Sequence, residues 1–244
     1  MIRTFCYSDI GGRACNEDAV GIKTAGEDQV LAVLADGLGG HGGGQIAASL
    51  AVDTVCGGWE GASLPNCLSG LILKAHQEIL QLQTPECKMK STIVALSLSP
   101  GYAEWAYAGD SRLYRFLNGA LAYQTRDHSA SQVAVLLGQI QPEQLRFHED
   151  RSRIFRALGQ EGGLNVDMGN VPLLPGEHAF LLCSDGFWEY VYEAEMLQTL
   201  AQASSPEDWI GRMRQILSQR IPPNNDNNSA AAIWLRICLL ITSL

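Results

Sequence analysis

The sequence has little that would tie it to nucleic acid, to an oxidising compartment or to a bilayer. Its 244 residues carry 17 Lys and Arg against 26 Asp and Glu, a formal net charge of -9 with a pI near 5.0. A chain this acidic lacks the clustered cations that displace counterions from a phosphate backbone, so no nucleic-acid partner is expected. A single phosphate bound locally remains compatible with that balance. The seven cysteines are odd in number and make no C-x-x-C pair, which argues against a disulfide framework and a zinc knuckle and for the reduced thiols of a cytoplasmic protein. MIRTFCYSDIGG contains no basic segment followed by an apolar core. The apolar tail AAAIWLRICLLITSL is too short, and too interrupted by Arg236, to span a bilayer. Neither an export signal nor a membrane anchor is expected. Repeats, low-complexity tracts and Pro/Gly/Ser linkers are also lacking, which favours one domain over residues 1–244.

What is present is a large apolar fraction, 46%, enough for a substantial core. Strand-like runs fall at 19–24, 30–35, 92–99, 103–108, 113–117, 120–124, 179–183 and 230–240. Asn118 and Gly119 between two of them suit a hairpin, because both residues tolerate positive φ. Helical spacing appears at 45–56 and 67–83, and Pro206 opens a third helix running toward Gln219. Strands and helices come in runs and hairpins join the strands. This order predicts an α+β fold with mainly antiparallel sheets and helices layered outside them.

The stretch LAVLADGLGGHGGG contains Gly37, Gly39 and Gly42 in G-x-G-x-x-G spacing after a strand and before a helix, as a dinucleotide fingerprint would. Asp36 argues against that reading, since its carboxylate would face the pyrophosphate that a helix N-terminus attracts. No second parallel strand ending in an acid follows. A carboxylate at the end of a buried strand, followed by backbone freed by glycine, suits a hard cation with oxygen ligands. For an isolated acid the alternative is a turn cap. FLLCSDGFWE places Asp185 after another apolar run, and NNDNNSAAAIWL places Asp226 just before the last strand. Three such acids meet at one point if their strands lie side by side, and paired divalent ions there would activate water for phosphoryl chemistry.

NEDAVGI, LAVLADGLGGHGGG, STIVALSLS, YAGDSRLYRF, RDHS, LLCSDGFWE and DNNSAAAIWL occur in the order seen in the metal-dependent protein Ser/Thr phosphatases of the PPM, or type 2C, family. The chain resembles that family over nearly its whole length, and DGLGGH most resembles the bacterial branch. The resemblance implies a four-layer α-β-β-α sandwich of two mainly antiparallel sheets flanked by helices, with a flap-like insertion at 126–160. It implies Asp36 as the carboxylate bridging two Mn²⁺ or Mg²⁺ ions, the Gly37 carbonyl as a ligand of one, and Asp185 and Asp226 as ligands of the other. Glu17 and Asp18 would act through bound waters, and Asp110 would hold a third, weaker ion. The alternative for Asp110 is a turn acid paired with Arg112.

Arg13 falls where the family keeps a phosphate-binding arginine, whose fork meets two phosphate oxygens at once; an ordinary surface arginine is the alternative. His41 matches the proposed general acid, against a role in ordering the glycine loop. The implied chemistry is direct attack of a metal-bridging hydroxide on phosphoSer or phosphoThr, without a phosphoenzyme. The implied setting is a cytoplasmic monomer acting on phosphoproteins made by a cognate bacterial Ser/Thr kinase. No G-x-S-x-G elbow surrounds Ser111 or Ser184, and Cys183 sits inside an apolar strand as a packing residue. Lys90 and Gln45 replace a usual glycine and glutamate, and IPPNN replaces a glycine-rich segment, without removing an implied ligand. A catalytically weak regulatory module of the same family is the alternative function; retention of Asp36, Asp185 and Asp226 argues against it.

Overall fold

The structure, a computed structural model, describes residues 1–38, 43–61 and 67–238. Two sheets lie face to face. The first has the strand order β1 (Arg3–Asp9), β11 (Asn228–Ile237), β10 (Gly176–Cys183), β7 (Arg112–Leu117) and β8 (Ala120–Gln124). The second runs β2 (Asp18–Thr24), β3 (Val30–Leu38), β5 (Ile93–Ser99), β6 (Tyr102–Ala108) and β9 (Asp167–Pro172), with the two-residue β4 (Lys90–Ser91) paired to the end of β3. Every strand pairing is antiparallel.

Side-chain alternation explains how the layers close. In β3, Val30, Ala32 and Leu34 face the core between the sheets, whereas Leu31, Val33 and Ala35 face outward and are covered by helices. Both faces are therefore apolar, which is why the strand reads as an unbroken hydrophobic run. β10 behaves likewise, with Phe180 and Leu182 inward and Leu181 and Cys183 outward. Helices α1 (Gly43–Gly58) and α2 (Cys67–Leu82) cover the second sheet through Ala47, Ala51, Val55, Leu68 and Ile72. On the first sheet, α5 (Glu193–Gln202) and α6 (Pro206–Ser218) bury Met196, Trp209 and Met213. The Ser205 side chain caps α6 by accepting from the Asp208 amide, and Pro206 occupies its first turn.

The expected α-β-β-α arrangement is the observed one, with differences of detail. Asn118 and Gly119 adopt φ of 50° and 76° in the β7–β8 turn, the paired positive values of a type I′ hairpin. Strand 92–99 begins at Ile93, and β11 ends at Ile237, while residues 239 and 240 of the expected strand lie outside the described residues. Strands β1 and β9 carry no sequence expectation. The insertion is less irregular than its sequence suggests. Residues 126–160 hold α3 (Ala130–Leu136), capped by Ser129, and a 3-10 turn, Pro142–Phe147. Isolated bridges pin the segment at Ser129–Ile154 and Ser91–Leu158. Among the described residues no helix is long and apolar enough to cross a membrane.

Candidate metal centre and active site

Antiparallel pairing brings the ends of β3, β6 and β10 and the beginnings of β2, β7 and β11 to one end of the sandwich. Asp36 continues the inward-facing parity of Val30, Ala32 and Leu34, so its carboxyl opens between the sheets where the apolar core stops. Asp18 stands directly opposite it in the β2–β3 ladder. Asp110 lies in the turn between β6 and β7, and Asp226 just precedes β11. Asp185 begins the short helical turn α4 (Asp185–Trp188) immediately after β10.

These positions enclose a cleft of about 480 Å³ lined by Arg13, Glu17, Asp36, Gly37, Asp110, Asp185 and Asp226, among others. Asp18 is not part of this lining and stands beside it, opposite Asp36. The sequence-derived acids are thus gathered around one space, while His41 lies outside the described residues. Ser152 and Ile154 of the insertion form part of the same wall.

The strand ends are held by hydrogen bonds that the motifs alone do not reveal. The Asp36 amide donates to Thr92 Oγ1 at 3.0 Å, and its carbonyl accepts from Thr92 N at 2.8 Å and Ser91 Oγ at 3.0 Å. The Gly37 amide donates to the Glu17 carbonyl at 3.0 Å. A Cβ on Gly37 would stand 2.2 Å from the Gly44 carbonyl oxygen, so the start of α1 can approach β3 only past a glycine. Asn227 ties three segments together: its Oδ1 accepts from the Glu17 amide at 2.8 Å, and its Nδ2 donates to the carbonyls of Ile10 and Cys15 at 2.7 and 3.0 Å. Sequence reasoning missed Thr92 and Asn227. The Ser91–Thr92 pair was visible as part of a motif, whereas Asn227 is one of several asparagines in a row.

Geometry bears on two of the sequence alternatives. Arg112 does not pair with Asp110; it forks onto Asp127 through Nε and Nη2 at 2.8 and 2.7 Å, both side chains being buried. Arg13 is at the cleft rim and exposed, with Nη2 donating to Asp226 Oδ2 at 2.7 Å.

Like charges crowd the cleft, and their ionisation shows it. Burial, with the charges of Asp18, Asp185, Asp110 and Asp226 added, holds Asp36 well above the usual carboxylate range. Burial also raises Asp110, next to the charges of Asp185 and Asp127. Asp18 is pushed up to about 7 by burial, against opposing hydrogen bonds from Ser229 and Ser184 and with added repulsion from Asp185 and Asp226. Asp185 is pushed up to about 6 by burial and the charge of Asp226. Burial raises Glu17 as well.

A divalent cation fits this donor set. Asp18 Oδ1 and Asp185 Oδ1 are buried with no hydrogen-bond partner, and a buried carboxylate oxygen without donor or cation is costly. All the side-chain donors are hard oxygens, the type Mg²⁺, Mn²⁺ and Ca²⁺ take. Among the described residues no three acidic, His or Cys side chains stand close enough together to hold an ion by themselves, so the case for a cation rests on the partnerless buried oxygens and the hard donor set.

The sequence profile of the protein phosphatase 2C family matches residues 7–227. The chain belongs to that family. It is a metal-dependent protein serine/threonine phosphatase. Among its relatives, the serine/threonine phosphatase Stp of Listeria monocytogenes is 32% identical over 195 residues, which cover 76% of this chain and 77% of that protein. The serine/threonine phosphatase of S. agalactiae superposes with a TM-score of 0.85 at 25% identity, covering 97% of this chain and all of that one. The catalytic domain of the phosphatase PstP, solved with two manganese ions, superposes with a TM-score of 0.78 at 28% identity over 95% of this chain and 97% of its own. The phosphatase therefore shares its fold with a relative crystallised with manganese.

Proposed function

We propose that this phosphatase hydrolyses phosphoserine and phosphothreonine directly in the acid-lined cleft, with Asp36, the Gly37 carbonyl, Asp185 and Asp226 holding two Mn²⁺ or Mg²⁺ ions. Glu17 and Asp18 act through waters in that arrangement, and Asp110 serves a third, weaker ion. The observation that carries the reading is the gathering of Glu17, Asp36, Asp110, Asp185 and Asp226 around one cleft, backed by buried, partnerless oxygens on Asp18 and Asp185. Bound divalent ions lower the pKa of water and neutralise charge on a phosphoryl group.

The protein's own residues supply position. Thr92 and Ser91 fix the Asp36 peptide at both its amide and its carbonyl, so the carboxylate needs no reorganisation as charge develops. Arg13 commits Nη2 to Asp226, and a guanidinium carries further donors that can meet phosphate oxygens. The same Asp226–Arg13 pair thus holds the arginine at the cleft mouth until an ester arrives. His41 remains the proposed general acid for the departing alkoxide.

The substrates are phosphoproteins, supplied by a cognate bacterial Ser/Thr kinase, and the enzyme works in the cytoplasm as a monomer. Phosphopeptide hydrolysis measured with Mn²⁺, and again after chelation, tests the central claim. Turnover that requires Mn²⁺ is expected; turnover unaffected by a chelator would refute it.

A further inference from the structure

Asp110, in the β6–β7 turn, and Asp185, at the start of α4, repel each other, yet one buried side chain joins their supports. Trp188, 1% exposed, donates its indole Nε1–H to the Asp110 carbonyl at 2.9 Å. It also closes the helical turn that Asp185 opens: the amides of Phe187 and Trp188 donate to the Ser184 carbonyl, and the Glu189 amide donates to the Asp185 carbonyl.

The indole is itself clamped. The Arg112 guanidinium carbon lies 3.4 Å from its ring centroid, and Arg112 is fixed in turn by the fork onto Asp127 and by Tyr114 Oη at 3.0 Å. A guanidinium held over a buried aromatic face gains from desolvation. The Asp110 turn is pinned on two further sides. The Gly109 amide donates to His128 Nδ1 at 3.0 Å, and Ser111 Oγ lies 2.7 Å from Thr92 Oγ1. Of these supports, only Trp188 belongs to the element that carries Asp185.

We infer that Trp188 is a positioning residue for cation binding, its indole N–H holding the Asp110 turn at a fixed separation from Asp185. It touches neither substrate nor metal. It acts by opposing the mutual repulsion of two carboxylates, so that both stand at the cleft before a cation is bound. The inference rests on the reading of Asp185 and Asp110 as metal ligands.

The test is Mn²⁺ affinity, measured by titration calorimetry on the full chain. Trp188→Phe keeps an aromatic face for Arg112 and removes the donor; losing a hydrogen bond to a buried carbonyl is expected to weaken Mn²⁺ binding roughly 5- to 30-fold. Excess Mn²⁺ should restore phosphopeptide turnover. Asp185→Asn serves as the reference. If it loses Mn²⁺ binding while Trp188→Phe binds as tightly as the unaltered chain, the positioning role is wrong and the metal assignment stands. Unaltered Mn²⁺ binding by Asp185→Asn removes the assignment and the inference together. Should Trp188→Phe fail to fold, ¹⁵N-indole NMR of the unaltered chain decides. Exchange of the Trp188 indole proton should slow on adding Mg²⁺, with Trp59 and Trp209, bonded to Ser97 Oγ and the Met196 carbonyl, as references. Exchange that Mg²⁺ leaves unchanged overturns the inference.

Discussion

Replacing Asp36 by Asn separates what its charge does for the fold from what it does for the reaction. Four neighbouring acids oppose that charge in the protein alone, so Asp36→Asn should unfold at an equal or higher temperature in chelator. Phosphopeptide turnover should fall by about 10³-fold, the scale set by loss of one central electrostatic group; near-normal turnover would reject Asp36 as the central ligand. Thr92→Val tests the support beneath it. The change keeps the side-chain shape but leaves the Asp36 amide and Ser111 hydroxyl without their acceptor or partner, at a cost of about 1–3 kcal/mol. Chemical denaturation measures this, and an unchanged midpoint would show the bond to be dispensable. Asp36, Asp185 and Asp226 were legible in the sequence because each borders a strongly apolar strand, whereas Glu17, Asp18 and Asp110 were legible only through the family resemblance. Asn227 and Trp188 were not, because their partners lie 210 and 78 residues away and nothing local marks the contact.

At the scale of elements, legibility follows burial pattern. β3 and β10 announce themselves because both of their faces are covered, and the β7–β8 hairpin because Asn-Gly meets its φ requirements. β1 offers Thr4, Cys6 and Ser8 on one face and Phe5 and Tyr7 on the other, too polar an alternation to stand out. β9 contains Gly169 and ends in Pro172, both unfavourable in a strand interior, and it survives at the sheet edge. Gly169 is needed there, since a Cβ would lie 2.4 Å from the Trp105 ring. The contact between β3 and α1 gives the element-scale prediction. Gly37→Ala should force β3 away from the start of α1, where the Gly44 carbonyl leaves no room for a methyl group, and destabilise the protein by about 1–3 kcal/mol. Thermal unfolding in chelator would register the loss, and an unshifted midpoint would mean that the two elements are not held in that approach.

For the molecule as a whole, the raised acids make stability depend on pH and cation together. Asp18 and Asp185, at about 7 and about 6, and Asp36 and Asp110, also raised, all bind protons more tightly folded than unfolded. Folding is favoured by their protonation, fully so below the unfolded carboxylate pKa near 4, and that contribution is lost as pH rises through the folded values. Acids with the opposite shift, Asp167, Glu193 and Glu195, are lowered despite burial, by His128 and Arg156, by Arg146 and by Arg220 respectively. Their contribution disappears only as pH falls through their folded values, below the ordinary carboxylate range, so the two groups act in separate windows. Between pH 5 and 7.5 these raised acids should therefore lower the unfolding temperature of the metal-free protein as pH rises, against the opposite contribution of His76, His128 and His178, whose pKa values burial lowers. On the proposed metal assignment, a divalent cation competes with protons for the same oxygens and binds the folded state alone, so the increase in melting temperature on adding Mn²⁺ should grow across that interval. Calorimetric scans at pH 5, 6 and 7.5, each with chelator and with Mn²⁺, measure both trends. A Mn²⁺ effect that stays constant or shrinks as pH rises would mean that the cation and the protons do not share these carboxylates.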